Sequence, residues 1–119
     1  MKTQYLVLAF AFTIASVFSF GQKSESLLNK ASIKVYGNCG TCKSRIEKAA
    51  IKAGVVFASW SEETQMLQVK FDATKTSVKK IEENIASVGH DTQDVTAADQ
   101  TYKSLPSCCR YDRKVTVKS

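Results

Sequence analysis

Between Ser32 and Gly54 the hydrophobic period of the chain changes, and two thiols sit at the change. Ser32-Ile33-Lys34-Val35-Tyr36 alternates apolar and polar side chains with period two, as a strand with one buried face does. After Cys42 the apolar residues Ile46, Ala49, Ala50 and Ala53 recur at helical spacing, and Gly54 offers a left-handed stop. The loop between the two patterns carries Cys39-Gly40-Thr41-Cys42. Such a switch predicts a strand-loop-helix unit with both thiols beside the N–H groups and positive dipole end of the helix. That field favours the thiolate, the form that binds metal or attacks a disulfide. Lys43 and Arg45 in the first turn are expected to reinforce it.

Downstream, Val55–Trp60 and Met66–Phe71 read as two strands of a hairpin around Ser61–Gln65. A second helix follows the turn at 72–76, capped by Thr76 or Ser77, with Val78, Ile81, Ile85 and Val88 on one face and Gly89 at its end. His90-Asp91 then turns into a short last strand near 92–96. Strand, helix, strand, strand, helix, strand is the ferredoxin-like βαββαβ sandwich, an α+β fold with two helices on one face of a four-stranded antiparallel sheet. The expected core is Ile33, Val35, Ile46, Ala49, Ala50, Val69, Phe71, Ile81, Ile85 and Val88. Phe57 and Trp60 read as packing residues, His90 by default as a surface turn, and Lys79, Lys80, Glu82 and Glu83 as a solvated helix face.

The ends of the chain read differently. Residues 1–21 carry one early charge, Lys2, and then an apolar run from Tyr5 to Phe20, shorter than the roughly 20 residues that a spanning helix needs. Ser19 and Gly21 stand where a signal peptidase requires small residues, so residues 1–21 are expected to be a cleaved export signal and the mature protein to be periplasmic or secreted, with no membrane attachment. Residues 22–31 read as a leader, 32–96 as the single domain that just under a hundred mature residues can build, and 97–119 as a cysteine-containing tail. The formal net charge of +6 over 119 residues is scattered and not interleaved with aromatics, which argues against nucleic acid and suits an acidic protein surface.

Four cysteines in a small exported chain ordinarily suggest two structural disulfides. The spacing argues otherwise, since Cys39 and Cys42 share one tight loop and Cys108 and Cys109 are adjacent. A cross-link between the pairs stays open, as does a redox dithiol, because Cys-Gly-Thr-Cys is similar to thioredoxin-like active sites. That fold needs a longer chain and a cis-proline facing the dithiol, and Pro106, the one proline, lies in the tail.

Taken together, the strand, the Cys39-Gly40-Thr41-Cys42 loop, the helix and the glycine closing the second helix resemble the heavy-metal-associated domain family of copper chaperones, periplasmic mercuric-ion binding proteins and metal-exporting ATPase modules. The resemblance covers 32–96 and implies soft-metal binding by Cys39 and Cys42, with no enzymatic activity. Two positions depart from the family pattern. Tyr36-Gly37 replaces its Gly-Met, and His90 replaces the aromatic after the second-helix glycine. Two sulfurs three residues apart can flank a Cu(I) ion, whereas Zn(II) demands four ligands and Hg(II) would use the same pair. The expected cargo is therefore Cu(I), with Hg(II) and Zn(II) as alternatives, and the expected partner is a metal-transporting ATPase or another metal-accepting protein. The alternative functions are Hg(II) scavenging and thiol-disulfide exchange. His90, at the end of the sheet that carries the loop, is expected to be a third ligand or to act on the ligands. An extended tail between Thr96 and Cys108 reaches far enough to fold back, so Cys108 and Cys109 are expected to be auxiliary thiolates to the same ion or a second one.

Overall fold

Asn29–Lys34 (β1) pairs antiparallel with Met66–Phe71 (β3), which pairs antiparallel with Phe57–Trp60 (β2), giving the sheet order β1-β3-β2 in a computed structural model that describes residues 27–113. The proposed export signal lies outside the described residues. The period-two pattern sorts the sheet: Ile33, Leu67, Val69 and Phe71 are buried, while Ser32 and Gln68 face outward and share a 2.7 Å hydrogen bond. β1 begins at Asn29, earlier than the expected Ser32, because Asn29, Lys30 and Ala31 stay in register with Phe71, Lys70 and Val69.

Two helices, Gly40–Lys52 (α1) and Val78–Ala86 (α2), pack against each other, α1 also against β2 and α2 against β1. Ser77 caps α2 as its sequence predicts, its hydroxyl accepting from the Lys80 N–H at 3.2 Å. The side-chain amide of Asn84 donates to the Ala49 carbonyl at 2.7 Å and ties the helices together. This is the expected ferredoxin-like α+β architecture, with a difference at the fourth strand.

In place of a strand over 92–96 there is one antiparallel bridge, Val35 to Thr92. Tyr36 N–H donates to Asp91 O and Gln93 N–H to Lys34 O, but the chain then reverses. Thr92 N–H turns to the Val95 carbonyl at 2.8 Å, and the Thr92 hydroxyl accepts from Val95 N–H at 3.0 Å. A threonine whose side chain closes its own turn competes with the ladder and wins.

Several burial expectations need correction. Glu82 is buried within the supposedly solvated face, with Oε2 lacking a partner. Burial, and then the charge of Asp94, pushes its carboxyl pKa up. Phe57 is 45% exposed, under the Lys70 ammonium, because the β2 face it occupies has no helix over it. Val88 is half-buried, whereas Cys42, Val55 and Leu67 join the core beside Trp60, which packs as expected.

The tail is folded onto the domain. After a short helix, Asp99–Lys103 (α3), and a one-turn 3-10 helix at Ser107–Cys109, it buries Leu105, Cys109 and Tyr111 in the same core. Gly89 makes the docking possible. At φ +109° it closes α2, and a Cβ there would stand 2.9 Å from the Leu105 side chain.

Candidate metal centre

Cys39 is the N-cap of α1, in extended backbone at φ −150°, and its carbonyl accepts the first helical hydrogen bond from Lys43 N–H at 3.0 Å. Its Sγ lies 3.8 Å from Cys42 Sγ. Cys39 is partly exposed, while Cys42 is fully buried and receives the Asn38 N–H at 3.3 Å. The Cys39 thiol is lowered to about 7, chiefly by the backbone N–H of Cys42, against the opposing effect of burial, and further by the Thr41 N–H and the neighbouring Cys42 and Cys108 side chains. The helix terminus thus acts as the sequence predicts. Lys43 does not take the expected part, because its ammonium is held by the Glu47 carboxylate at 2.5 Å and the Trp60 carbonyl at 2.9 Å.

Two residues that the sequence does not connect to the thiols hold this loop. The Gln65 side chain clasps the backbone of Gly37, its amide donating to the Gly37 carbonyl at 2.9 Å and its oxygen accepting from the Gly37 N–H at 3.1 Å. Gln65 itself sits at φ +63°, a conformation rare outside glycine and fixed here by these bonds. Trp60 packs under the loop and donates from its indole to Val35 O at 2.9 Å. A Cβ on Gly37 would stand 3.1 Å from both the Trp60 ring and Cys42 Cβ, so where the family pattern has methionine the indole takes the space and a side chain would have to push it or Cys42 aside by a few tenths of an ångström.

The tail brings the other two thiols to the same place. Cys39, Cys108 and Cys109 offer sulfurs that all lie within 4.8 Å of one another. Cys108 is exposed, and its carbonyl accepts from the Asn38 side chain at 3.3 Å and from Cys39 Sγ at 3.5 Å. Cys109 is buried, and burial, then the neighbouring Cys42 sulfur, pushes its thiol up to about 12. Tyr111 anchors the turn: its hydroxyl accepts from Asp91 N–H at 2.8 Å and donates to Gly89 O at 2.9 Å, and its ring stacks on His90. Arg113 finishes the attachment by gripping both Asp91 carboxylate oxygens at 2.8 and 3.0 Å and the Ala97 carbonyl at 2.6 Å. No periodicity marks Tyr111 or Arg113 in the sequence, because they bind the domain through single side chains.

His90 is fully buried, not the surface turn of its default reading, and the structure does not bring it into the sulfur group. Its Nδ1–H donates to the Tyr36 carbonyl at 2.8 Å, while Nε2 is buried with no partner. Burial is the main force pushing its pKa below 6.5; Arg45 adds to this, and the Tyr36 carbonyl and Asp91 oppose it. The sign of the consequence is fixed. Above pH 6.5 neither state of the chain holds this proton, and stability is complete. Below it the unfolded chain binds a proton that the fold resists, so stability is lost as pH falls towards the depressed folded value. Glu82 acts oppositely, adding stability as pH falls. Urea midpoints between pH 7 and 5 should therefore fall more steeply for the wild type than for His90→Phe, and parallel profiles would contradict this.

A ferredoxin-like α+β domain that presents a thiol pair at the start of its first helix defines a soft-metal-binding class. The profile of the heavy-metal-associated domain matches residues 38–91, and the chain belongs to that family. Among solved structures, the CopZ metallochaperone is 30% identical with a TM-score of 0.52, over 54% of this chain and 98% of that one. Oxidized MerP from Ralstonia metallidurans CH34 is 31% identical with a TM-score of 0.53, over 56% and 94%. The N-terminal domain of a potential copper-translocating P-type ATPase from Bacillus subtilis, solved in its Cu(I)-loaded state, is 26% identical with a TM-score of 0.51, over 60% and 98%. Among curated proteins there is no match.

Proposed function

We propose that the protein is an exported carrier of one soft ion, Cu(I) before Hg(II), held primarily by Cys39 and Cys42. The observation that carries this reading is the pair of sulfurs 3.8 Å apart at the start of α1, one of them with its thiol lowered to about 7. Each thiol gives up its proton when the ion binds, and a helix terminus that already favours the thiolate reduces that cost. Handover proceeds by ligand exchange: an incoming thiolate binds the ion, and one original sulfur leaves. The neighbour solved as a Cu(I)-loaded domain of a potential copper-translocating ATPase supports Cu(I) and such an ATPase as acceptor, the metallochaperone neighbour supports transfer, and Hg(II) rests on the resemblance of the sequence to mercuric-ion binding proteins. Export to the periplasm or exterior rests on the N-terminal sequence alone. The activity is binding and transfer, not catalysis. His90 acts on the site indirectly, through the carbonyl of Tyr36 at the root of the loop.

The same two thiols support a second reading, thiol-disulfide exchange, since a lowered thiol beside a second sulfur is also what that chemistry needs. Backbone amide shifts of the reduced full chain, titrated with Cu(I), separate the two. Changes confined to 37–43 and 107–111 and complete at one equivalent are expected. No change, or changes centred elsewhere, would overturn the metal reading.

A further inference from the structure

The family's thiol pair leaves a bound ion open to any incoming ligand, but this chain places two further sulfurs over it. The turn at Ser107–Cys109 is built in, not draped. It is closed by Cys109 N–H to Pro106 O at 2.8 Å, by Arg110 Nε to Leu105 O at 3.1 Å and by the Tyr111 anchor. The Cys108 carbonyl is latched to Asn38 and Cys39 in the loop itself. Asn38, the residue before the thiol pair, thus ties the loop to the tail.

Sulfur geometry gives the arrangement a meaning. At a metal–sulfur distance of ~2.3 Å, two sulfurs on opposite sides of an ion stand ~4.6 Å apart, and sulfurs in a closed tetrahedral shell ~3.8 Å apart. Cys39 and Cys42 stand 3.8 Å apart in thiol–thiol contact, closer than a two-sulfur ion would hold them, so the pair as placed leaves one side open to a further donor. Cys108 and Cys109 stand within 4.8 Å of Cys39 and of each other, so the tail brings its sulfurs to the Cys39 side of the pair.

We propose that the vicinal pair Cys108-Cys109 supplies a third thiolate to the ion held by Cys39 and Cys42, so that the docked tail closes the site. This rests on the reading of Cys39 and Cys42 as the primary pair. The third thiol loses its proton to solvent as the ion binds, and no electron is transferred. The tail sulfur occupies the position that an acceptor's thiolate must take during exchange, so release requires the turn to yield.

The test is the number of sulfurs around Cu(I) in the reduced, monomeric full chain loaded with one equivalent, measured by X-ray absorption. Three are expected in the wild type and two in the Cys108→Ser, Cys109→Ala double variant. Two in the wild type would overturn the inference and leave the proposed function standing. Failure of the wild type to take up Cu(I) would overturn the proposed function itself. Three in a natively folded double variant would also count against the tail as donor. Should that variant lose its native circular dichroism, the wild-type count decides by itself.

Discussion

Cys39→Ser and Cys42→Ser are each expected to weaken Cu(I) binding severely, but only Cys42→Ser to weaken the fold. On the proposed reading both thiols hold the ion, but they serve the domain unequally. Cys42 has no exposed surface and lies in the core with Ile46, Trp60 and Val35. A serine there buries a hydroxyl among apolar neighbours, which costs about 1–3 kcal/mol even with the Asn38 N–H available as a donor. Cys39 is partly exposed at the N-cap of α1, where no side chain makes a capping hydrogen bond. Serine is among the preferred residues at that position, so the metal-free Cys39→Ser chain should be no less stable than the wild type. Urea unfolding of the reduced, metal-free variants measures one half of the prediction, and competition for Cu(I) against a chelator the other. Wild-type affinity in both variants would move the site elsewhere. Equal stability in both would remove Cys42 from the core.

A chain ending at Gln100 loses much of its stability along with two of its thiols. The lost segment includes Leu105 and Tyr111, both buried, and full burial of side chains of this size is worth about 1.5–3 kcal/mol each. Truncation also strips Arg113 from Asp91, a carboxylate left buried with only the Ala97 N–H at 2.7 Å. Against the roughly 5–15 kcal/mol that holds a small domain together, a loss of about 3–6 kcal/mol is large. It should lower Tm by roughly 15 °C or more. An unchanged Tm would mean that the tail is not docked. For the same reason truncation mixes the loss of Cys108 and Cys109 with the loss of the fold, whereas substitutions at the two cysteines leave Leu105, Tyr111 and Arg113 in place.

Local patterns carried the sequence reading where chemistry is local. The period-two run at Ser32–Tyr36, the helical spacing after Cys42 and the Ser77 cap each depend on neighbours in the chain, and each appears in the structure. The strand expected at 92–96 failed because Thr92 binds Val95, a competition inside a few residues that alternation does not reveal. Glu82 looked solvent-facing because its neighbours Lys79, Lys80 and Glu83 are, yet the helix turns it inward. In the site, Cys39 and Cys42 were legible from their spacing, and the return of Cys108 and Cys109 was expected from the reach of the tail. Gln65, Tyr111 and Arg113 were not, and Trp60 was legible as packing but not as support for the loop, because each touches the site region across long stretches of chain.

Which ion the reduced full chain keeps when Cu(I), Zn(II) and Hg(II) compete for it decides the metal reading. Metal analysis after exhaustive dialysis should find one soft ion per chain, Cu(I) or Hg(II) in preference to Zn(II), in the wild type, and none in the Cys39→Ser, Cys42→Ser double variant. Retention of no ion by the wild type, or equal retention by the double variant, would contradict it.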